Sequence, residues 1–352
     1  MFSPMVIRDS RLHFFFASMV LSLLCLWDMY HIAFGKIFDM LAFCIVACML
    51  FFVSPRIKHL KWLVIFIPFI LIGAYRDPIA QIGIVMGFFF YTYFSSIRKE
   101  VNLDNVIVII LRVIILLQLL DGFAFFGLGK QLVFYPDVFL DKRNYDGSVF
   151  FRPTGVFAEA NALSLTVLIL LGMLDCDWRK RNDIVLPAIM SLALSFSLYG
   201  MFSAITLTVV FVLAQRKFLH AAVLGVLGTL CIVYIAQSGL PYVDIFEGRL
   251  RNLESDPSAD ARLGLSHSYG LDIIIPQGFT TSAEGVSRYA ANTVLNTGYA
   301  MGIFFPLFIF FCYRRAVTLG HFVIISLILV SHSFYTYGLF WAFFGLSHRR
   351  AD

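Results

Sequence analysis

Long apolar runs alternate with short polar connectors along the whole chain. The runs predict membrane-crossing helices over residues 12–27, 37–53, 61–75, 79–95, 105–120, 158–174, 184–198, 200–215, 218–236, 291–313 and 320–346. About 20 residues are needed for one crossing, so the last run is too long for a single ordinary span. Ser331-His332-Ser333 interrupts it and Gly338 can turn it. Two short helices are therefore predicted there, with one long tilted helix as the alternative. The expected fold class is an all-α polytopic membrane protein of 11 or 12 transmembrane helices, with residues 1–352 as a single integral membrane domain.

Two connectors are long, over residues 121–155 and 237–290, and both fall on the predicted outer side. Long loops in a compact architecture usually carry function. The second has the composition of a folded lid, with Pro241, Asp244, Glu247, Asp256, Pro257 and Asp260. It is net acidic, whereas the first balances its charges.

Composition agrees with this picture. The chain is 60% hydrophobic and 14% charged, with mean hydropathy +0.84. Soluble domains carry roughly 25% charge, so a soluble enzyme, a disordered chain and a disulfide scaffold are excluded. The formal charge of +5 is no sign of nucleic-acid binding. Basic residues gather in every second connector, as in Arg56, Lys58 and Lys61, or Arg179, Lys180 and Arg181, while the opposite short connectors hold Lys36 and Arg76. This positive-inside pattern sets both termini in the cytoplasm. The same basic face could meet anionic lipid. The six cysteines (Cys25, Cys44, Cys48, Cys176, Cys231, Cys312) lie outside the two long loops and show no zinc spacing, so neither disulfide nor metal is expected. The first run follows Arg8 and Arg11 as a secretory signal would, but no A-x-A site precedes Asp28, and it reads as a retained helix.

The most informative stretch is Phe151-Arg152-Pro153-Thr154-Gly155-Val156-Phe157-Ala158-Glu159-Ala160-Asn161, at the junction of the first long loop and a helix. Pro153 and Gly155 keep that helix from extending backward. Glu159 and Asn161 fall at its positive N-terminal end. A cation, a carboxylate and an amide are thus set at the mouth of a bundle, where they could hold a phosphorylated lipid head group. A purely local account is also open: Arg152 snorkels, Glu159 complements the helix dipole and Asn161 bonds a neighbouring helix.

The pattern R-x-x-G-x-F-x-E-x-N resembles the O-antigen polymerase and ligase superfamily, whose members often carry R-x-x-G-x-F-x-x-P-N there; Ala160 replaces the Pro. A second stretch, Leu192-Ala193-Leu194-Ser195-Phe196-Ser197-Leu198-Tyr199-Gly200, resembles the family's S-R-G element, with Leu198 in place of its Arg. A third is Arg262 followed by Pro276-Gln277-Gly278, then Asn292, Asn296 and Gly298 opening the next helix. Ala291 stands where ligases carry His, which favours a polymerase over a ligase. The likeness covers roughly residues 120–315.

What the resemblance implies is a membrane glycosyltransferase of the bacterial cytoplasmic (inner) membrane, acting in O-antigen or exopolysaccharide biosynthesis. A growing glycan would leave undecaprenyl diphosphate and join a lipid-linked repeat unit at the outer face, without cofactor or metal. Its partners would be the undecaprenyl-diphosphate-linked oligosaccharide, the lipid bilayer and a chain-length regulator protein, with no nucleic acid. The leaving diphosphate suits guanidinium groups, and the acceptor hydroxyl needs a base. The implied catalytic set is Glu159, Arg152 and His267, with Arg262, Arg288, Asn161, Arg249, Arg251 and Asn292 binding substrate. Bland alternatives stay open: Arg288 as an interface anchor, Arg249 and Arg251 in lid salt bridges, His267 as an ordinary loop residue. Arg112 is a basic residue inside an apolar helix, expected to face the bundle or to snorkel. A transporter of lipid-linked oligosaccharide is the alternative of another class, but the layout shows no related halves. No Walker loop, dinucleotide fingerprint, HExxH or GxSxG element is present.

Overall fold

The computed structural model describes residues 10–26, 34–53, 63–75, 77–130, 132, 151–157, 159–174, 181–215, 274–279, 293–314, 316, 318–331 and 337–346. The regular structure among the described residues is helical, with no strand. In chain order the α-helices are α1 (Ser10–Leu24), α2 (Phe34–Leu50), α3 (Ile67–Ala74), α4 (Pro78–Ile97), α5 (Asp104–Leu128) and α6 (Ala160–Met173). They continue with α7 (Asn182–Leu194), α8 (Leu198–Gln215), α9 (Thr293–Met301), α10 (Phe305–Tyr313), α11 (Leu319–Val330) and α12 (Gly338–Leu346). The apolar run 218–236 lies outside the described residues.

Three elements differ from the hydropathy reading or decide between its alternatives. First, α5 does not end near residue 120. It continues to Leu128, where Gly129 (φ 64°) caps it in the left-handed conformation. Gly129 N–H bonds Phe125 O at 3.1 Å and Lys130 N–H bonds Ala124 O at 2.9 Å, closing the last carbonyls. Second, the run 291–313 is broken: a 3-10 turn over Gly302–Phe304 separates α9 from α10. Third, the run 320–346 forms two helices, α11 and α12, rather than one long tilted helix. The third predicted run, 61–75, is interrupted by a turn at residues 65–66, after which α3 covers Ile67–Ala74.

Among the described residues, two stretches, Asp104–Leu128 and Thr293–Tyr313, are long and apolar enough to cross a membrane. On α5 the side opposite the core is apolar too. Ile109, Val113, Leu116, Leu120 and Phe123 are all exposed at helical spacing.

The centre of the molecule is α6. Every residue in it except Asn161 is buried, and α5, α7, α8, α11 and α12 all pack against it. A helix apolar on all sides suits such an enclosed place. Gly172 marks how close the neighbours come: a Cβ there would lie 2.7 Å from Phe343 and 2.9 Å from Ile324. The most extensive helix pair is α4 with α12. Trp341 fits against Gly87, Gly338 against Phe90 and Gly345 against Phe94. Trp341 also meets Phe66 and Phe88 edge to face, at 5.7 and 5.1 Å between ring centroids.

Hydrogen bonds collect a set of helix ends at one end of this bundle. Gln118, in the second half of α5, reaches Ser191 near the end of α7. Tyr199 at the start of α8 reaches Leu327 O near the end of α11, at 3.0 Å. Thr293 at the start of α9 bonds Ser331 O just past α11, at 3.2 Å. Lower on α5, Arg112 is exposed and pairs with Asp183 at the start of α7, 3.1 Å away. Its guanidinium thus lies on the flank of the bundle and not inside it.

Candidate functional site

The loop Phe151–Phe157 lies over the late turns of α5, and α5 holds it through two side chains one turn apart. Gln118 Nε2 donates to Pro153 O (3.3 Å) and to Ser191 O (3.0 Å). Its Oε1 accepts from Ser191 Oγ, so the whole amide is used. Asp121 Oδ2 accepts the backbone N–H of Thr154 and of Gly155, each at 3.0 Å. Both side chains are buried, Asp121 completely. Two successive peptide groups of the loop, Pro153–Thr154 and Thr154–Gly155, are therefore fixed to one helix face. Burial raises the stake, because a buried polar group left unpaired costs roughly 1–3 kcal/mol.

Gly155 is needed for this approach. Its φ is +57°, and a Cβ would stand 3.0 Å from Gln118 N and 3.2 Å from Leu117 C. Phe151 anchors the other side of the loop, fully buried and stacked on Phe125 at 4.1 Å between centroids. Arg152, half-buried, is thus flanked by Phe151 and Pro153, both held in place. Phe157 N–H then bonds Thr154 O at 3.2 Å, turning the chain into α6.

Glu159 is the residue before the helix, with extended backbone (φ −127°, ψ 140°). Its carbonyl accepts Leu163 N–H at 3.2 Å, so its backbone serves the first turn. Asn161 follows in that turn. Its Oδ1 is shielded from solvent and has no hydrogen-bond partner among the described residues. The Thr154 hydroxyl is shielded in the same way.

Beneath this junction lies the second stretch. Ser164 Oγ, also bonded to Ala160 O (2.9 Å), meets Ser195 Oγ at 3.1 Å. Ser195 Oγ in turn bonds Leu192 O (2.7 Å) and lies 3.2 Å from Ser197 Oγ. Ser197 Oγ accepts Gly200 N–H at 2.8 Å, capping α8. Phe196 between the two serines takes φ 47°, a left-handed conformation that costs a non-glycine residue of the order of 1–3 kcal/mol. Its ring meets Phe126 at 6.4 Å, and Phe126 meets Phe151 at 6.3 Å. The two stretches singled out in the sequence are therefore one packed unit.

The third stretch packs elsewhere. Gln277 and Gly278 donate their N–H groups to Tyr299 O (3.2 Å) and Ala300 O (3.0 Å). Ile303 N–H bonds Ile274 O at 3.0 Å. The break at Gly302 (φ 56°) frees those carbonyls of α9 from intrahelical bonding. Gly278 (φ 78°) packs backbone to backbone on Gly73, and Gln81 Nε2 donates to Phe279 O at 2.5 Å. Residues 274–279 thus form a tail tucked against α9, α3 and α4.

Of the expected site residues, Arg152, Glu159 and Asn161 are gathered within this one junction. His267, Arg249, Arg251, Arg262, Arg288 and Asn292 lie outside the described residues, as does His332. Gln118, Asp121, Ser164 and Ser191 were not anticipated. The signal for the first two was present: polar residues three apart on one face of an apolar helix mark a buried partner. Asp39 in α2, which accepts the backbone N–H of Gly338, carries the same signal.

No family model matches this chain, and no curated protein or solved structure does.

Proposed function

We propose that this chain is a multi-span protein of the bacterial cytoplasmic (inner) membrane, with both termini cytoplasmic. Its activity is that of a glycan polymerase. It transfers a growing polysaccharide from undecaprenyl diphosphate to a lipid-linked repeat unit at the outer face, in O-antigen or exopolysaccharide biosynthesis. The membrane assignment draws on the apolar side chains exposed along α5, since soluble proteins rarely expose such continuous patches. It also draws on the ends of α7 and α11 meeting the starts of α6, α8 and α9 at one end of the bundle, as alternating spans require.

One observation carries the activity. The R-x-x-G-x-F-x-E-x-N junction and the S-F-S-L-Y-G element, the two stretches that resemble the polymerase family, are joined through Ser164 and Ser195 under a loop clamped by α5. It supports a site in which Arg152, Glu159 and Asn161 act together where the clamped loop enters a buried helix.

The chemistry follows from those groups. The acceptor hydroxyl oxygen attacks the anomeric carbon of the donor sugar, and the bond from that carbon to the diphosphate oxygen breaks. Arg152 stabilises the charge that develops on the diphosphate. Glu159 takes the hydroxyl proton or orients it. Asn161 contacts the sugar, and Arg262 and Arg288 act from the lid. A chain-length regulator protein is the expected partner.

The test is genetic deletion in a host that displays the glycan, with surface glycan separated on a gel. Single-repeat glycan on its final carrier is the expected result. Long chains retained on undecaprenyl diphosphate would indicate a ligase instead, and absence of any outer repeat a transporter. Arg152→Ala at normal protein level should abolish long chains; normal chain length would remove Arg152 from the site.

A further inference from the structure

The interior of the bundle holds a carboxylate that the proposed chemistry does not use. Asp121 is fully buried, sits on α5, and spends one oxygen on two neighbouring amides of the junction loop, 33 and 34 positions away. A buried charge is expensive, and it persists where hydrogen bonds compensate it. Charge-assisted bonds from two backbone N–H groups are the strong kind. Loops in a bundle need no such device merely to close. This one fixes the two peptide groups that follow Arg152-Pro153, and Gln118 fixes the Pro153 carbonyl from one turn earlier.

We infer that Asp121 is a positioning residue for Arg152: its carboxylate holds the Thr154 and Gly155 amides so that the guanidinium keeps one place relative to Glu159 and the start of α6. The inference rests on the glycosyl-transfer function proposed above. Asp121 itself touches no substrate. Its counterpart Gln118 makes the register of the loop on α5 unique, because the acceptor for the amides and the donor for the carbonyl are one turn apart.

The variants are Asp121→Ala, which removes the acceptor, and Asp121→Asn, which keeps an acceptor oxygen without the charge. Both are assayed in the full-length protein purified in detergent, per molecule of monodisperse protein. The first readout is amide hydrogen exchange over residues 151–157, which needs no enzymatic activity. Exchange at Thr154 and Gly155 should quicken at least tenfold in Asp121→Ala and much less in Asp121→Asn. The second is transfer from a polyprenyl-diphosphate-linked repeat unit. A misplacement of about 1 Å can cost about 100-fold in rate, so Asp121→Ala should lose tenfold to 100-fold with partial recovery in Asp121→Asn. The third is coupling: Asp121→Ala combined with Arg152→Ala should transfer no more slowly than Arg152→Ala alone.

Unchanged exchange, or transfer losses that multiply in the double variant, would overturn the positioning role. A residue that serves folding alone would lower protein yield without altering the rate per molecule or coupling to Arg152, and that result also overturns it. If Arg152→Ala transfers normally, the fault lies with the proposed function, whatever the exchange data show about Asp121.

Discussion

Ser164 Oγ and Ser195 Oγ stand 3.1 Å apart and tie the first turn of α6 to the end of α7. Gly200 makes that contact sterically feasible. A Cβ on it would fall against Ser195 Oγ, 2.6 Å from Ser164 Oγ and 2.7 Å from Leu192 O. Gly200→Ala should therefore destabilise the protein by about 1–3 kcal/mol, as overpacking does. Thermal unfolding in detergent checks this. Adding Ser195→Ala removes the nearest obstacle, so the double variant should lose less than the two single losses together.

Gly155 and Gly298 give opposite expectations for the same substitution. Gly155→Ala meets the α5 backbone at 3.0 Å in a left-handed conformation that costs about 1–2 kcal/mol by itself. Gly298 lies inside α9, and among the described residues nothing comes within 4 Å of an added Cβ. Gly298→Ala should stabilise by roughly 0.5–1 kcal/mol, while Gly155→Ala destabilises. Unfolding midpoints that shift in the same direction for both would contradict the packing described for the loop.

The tail over residues 274–279 depends on Gly278. Its positive φ and its contact with Gly73 leave no room for a side chain. Gly278→Ala should undock the tail, seen as faster amide exchange at Gln277 and Gly278, whose N–H groups bond α9. Exchange at Leu163, in the first turn of α6, should stay as in the parent protein.

Glu159→Gln keeps shape and removes charge. If the carboxylate accepts the acceptor proton, the transfer rate should fall by about 10²–10⁴-fold at unchanged protein level. A rate within a few-fold of the parent would leave Glu159 an orienting hydrogen-bond partner.

Hydropathy was sufficient for most elements here, because a long apolar run has few alternatives to a helix. Local punctuation in the last run, Ser331-His332-Ser333 and Gly338, also carried the split into α11 and α12. Two features escaped it for the same physical reason. Asp121 ends the apolar run on a hydropathy scale, yet its carboxylate is satisfied by amides far away in sequence, so α5 runs on to Leu128. Gly302 sits within an apolar run; lacking a Cβ it takes the positive φ freely, and the helix break there becomes tolerable because Gln277 and Gly278 take up the carbonyls it frees. Long-range hydrogen bonds decided both, and no window of local sequence contains them. The resemblance marked the Arg152 and Ser195 stretches separately and not their joining; Gln118 and the serines that effect it are ordinary residue types whose role arises from packing.

Because α6, except at Asn161, is buried against α5, α7, α8, α11 and α12, its height is set by those neighbours rather than by whatever surrounds the bundle. Swelling or thinning of the surrounding medium would be absorbed by the peripheral helices, and the threshold at Glu159 would keep its depth like an axle inside a wheel.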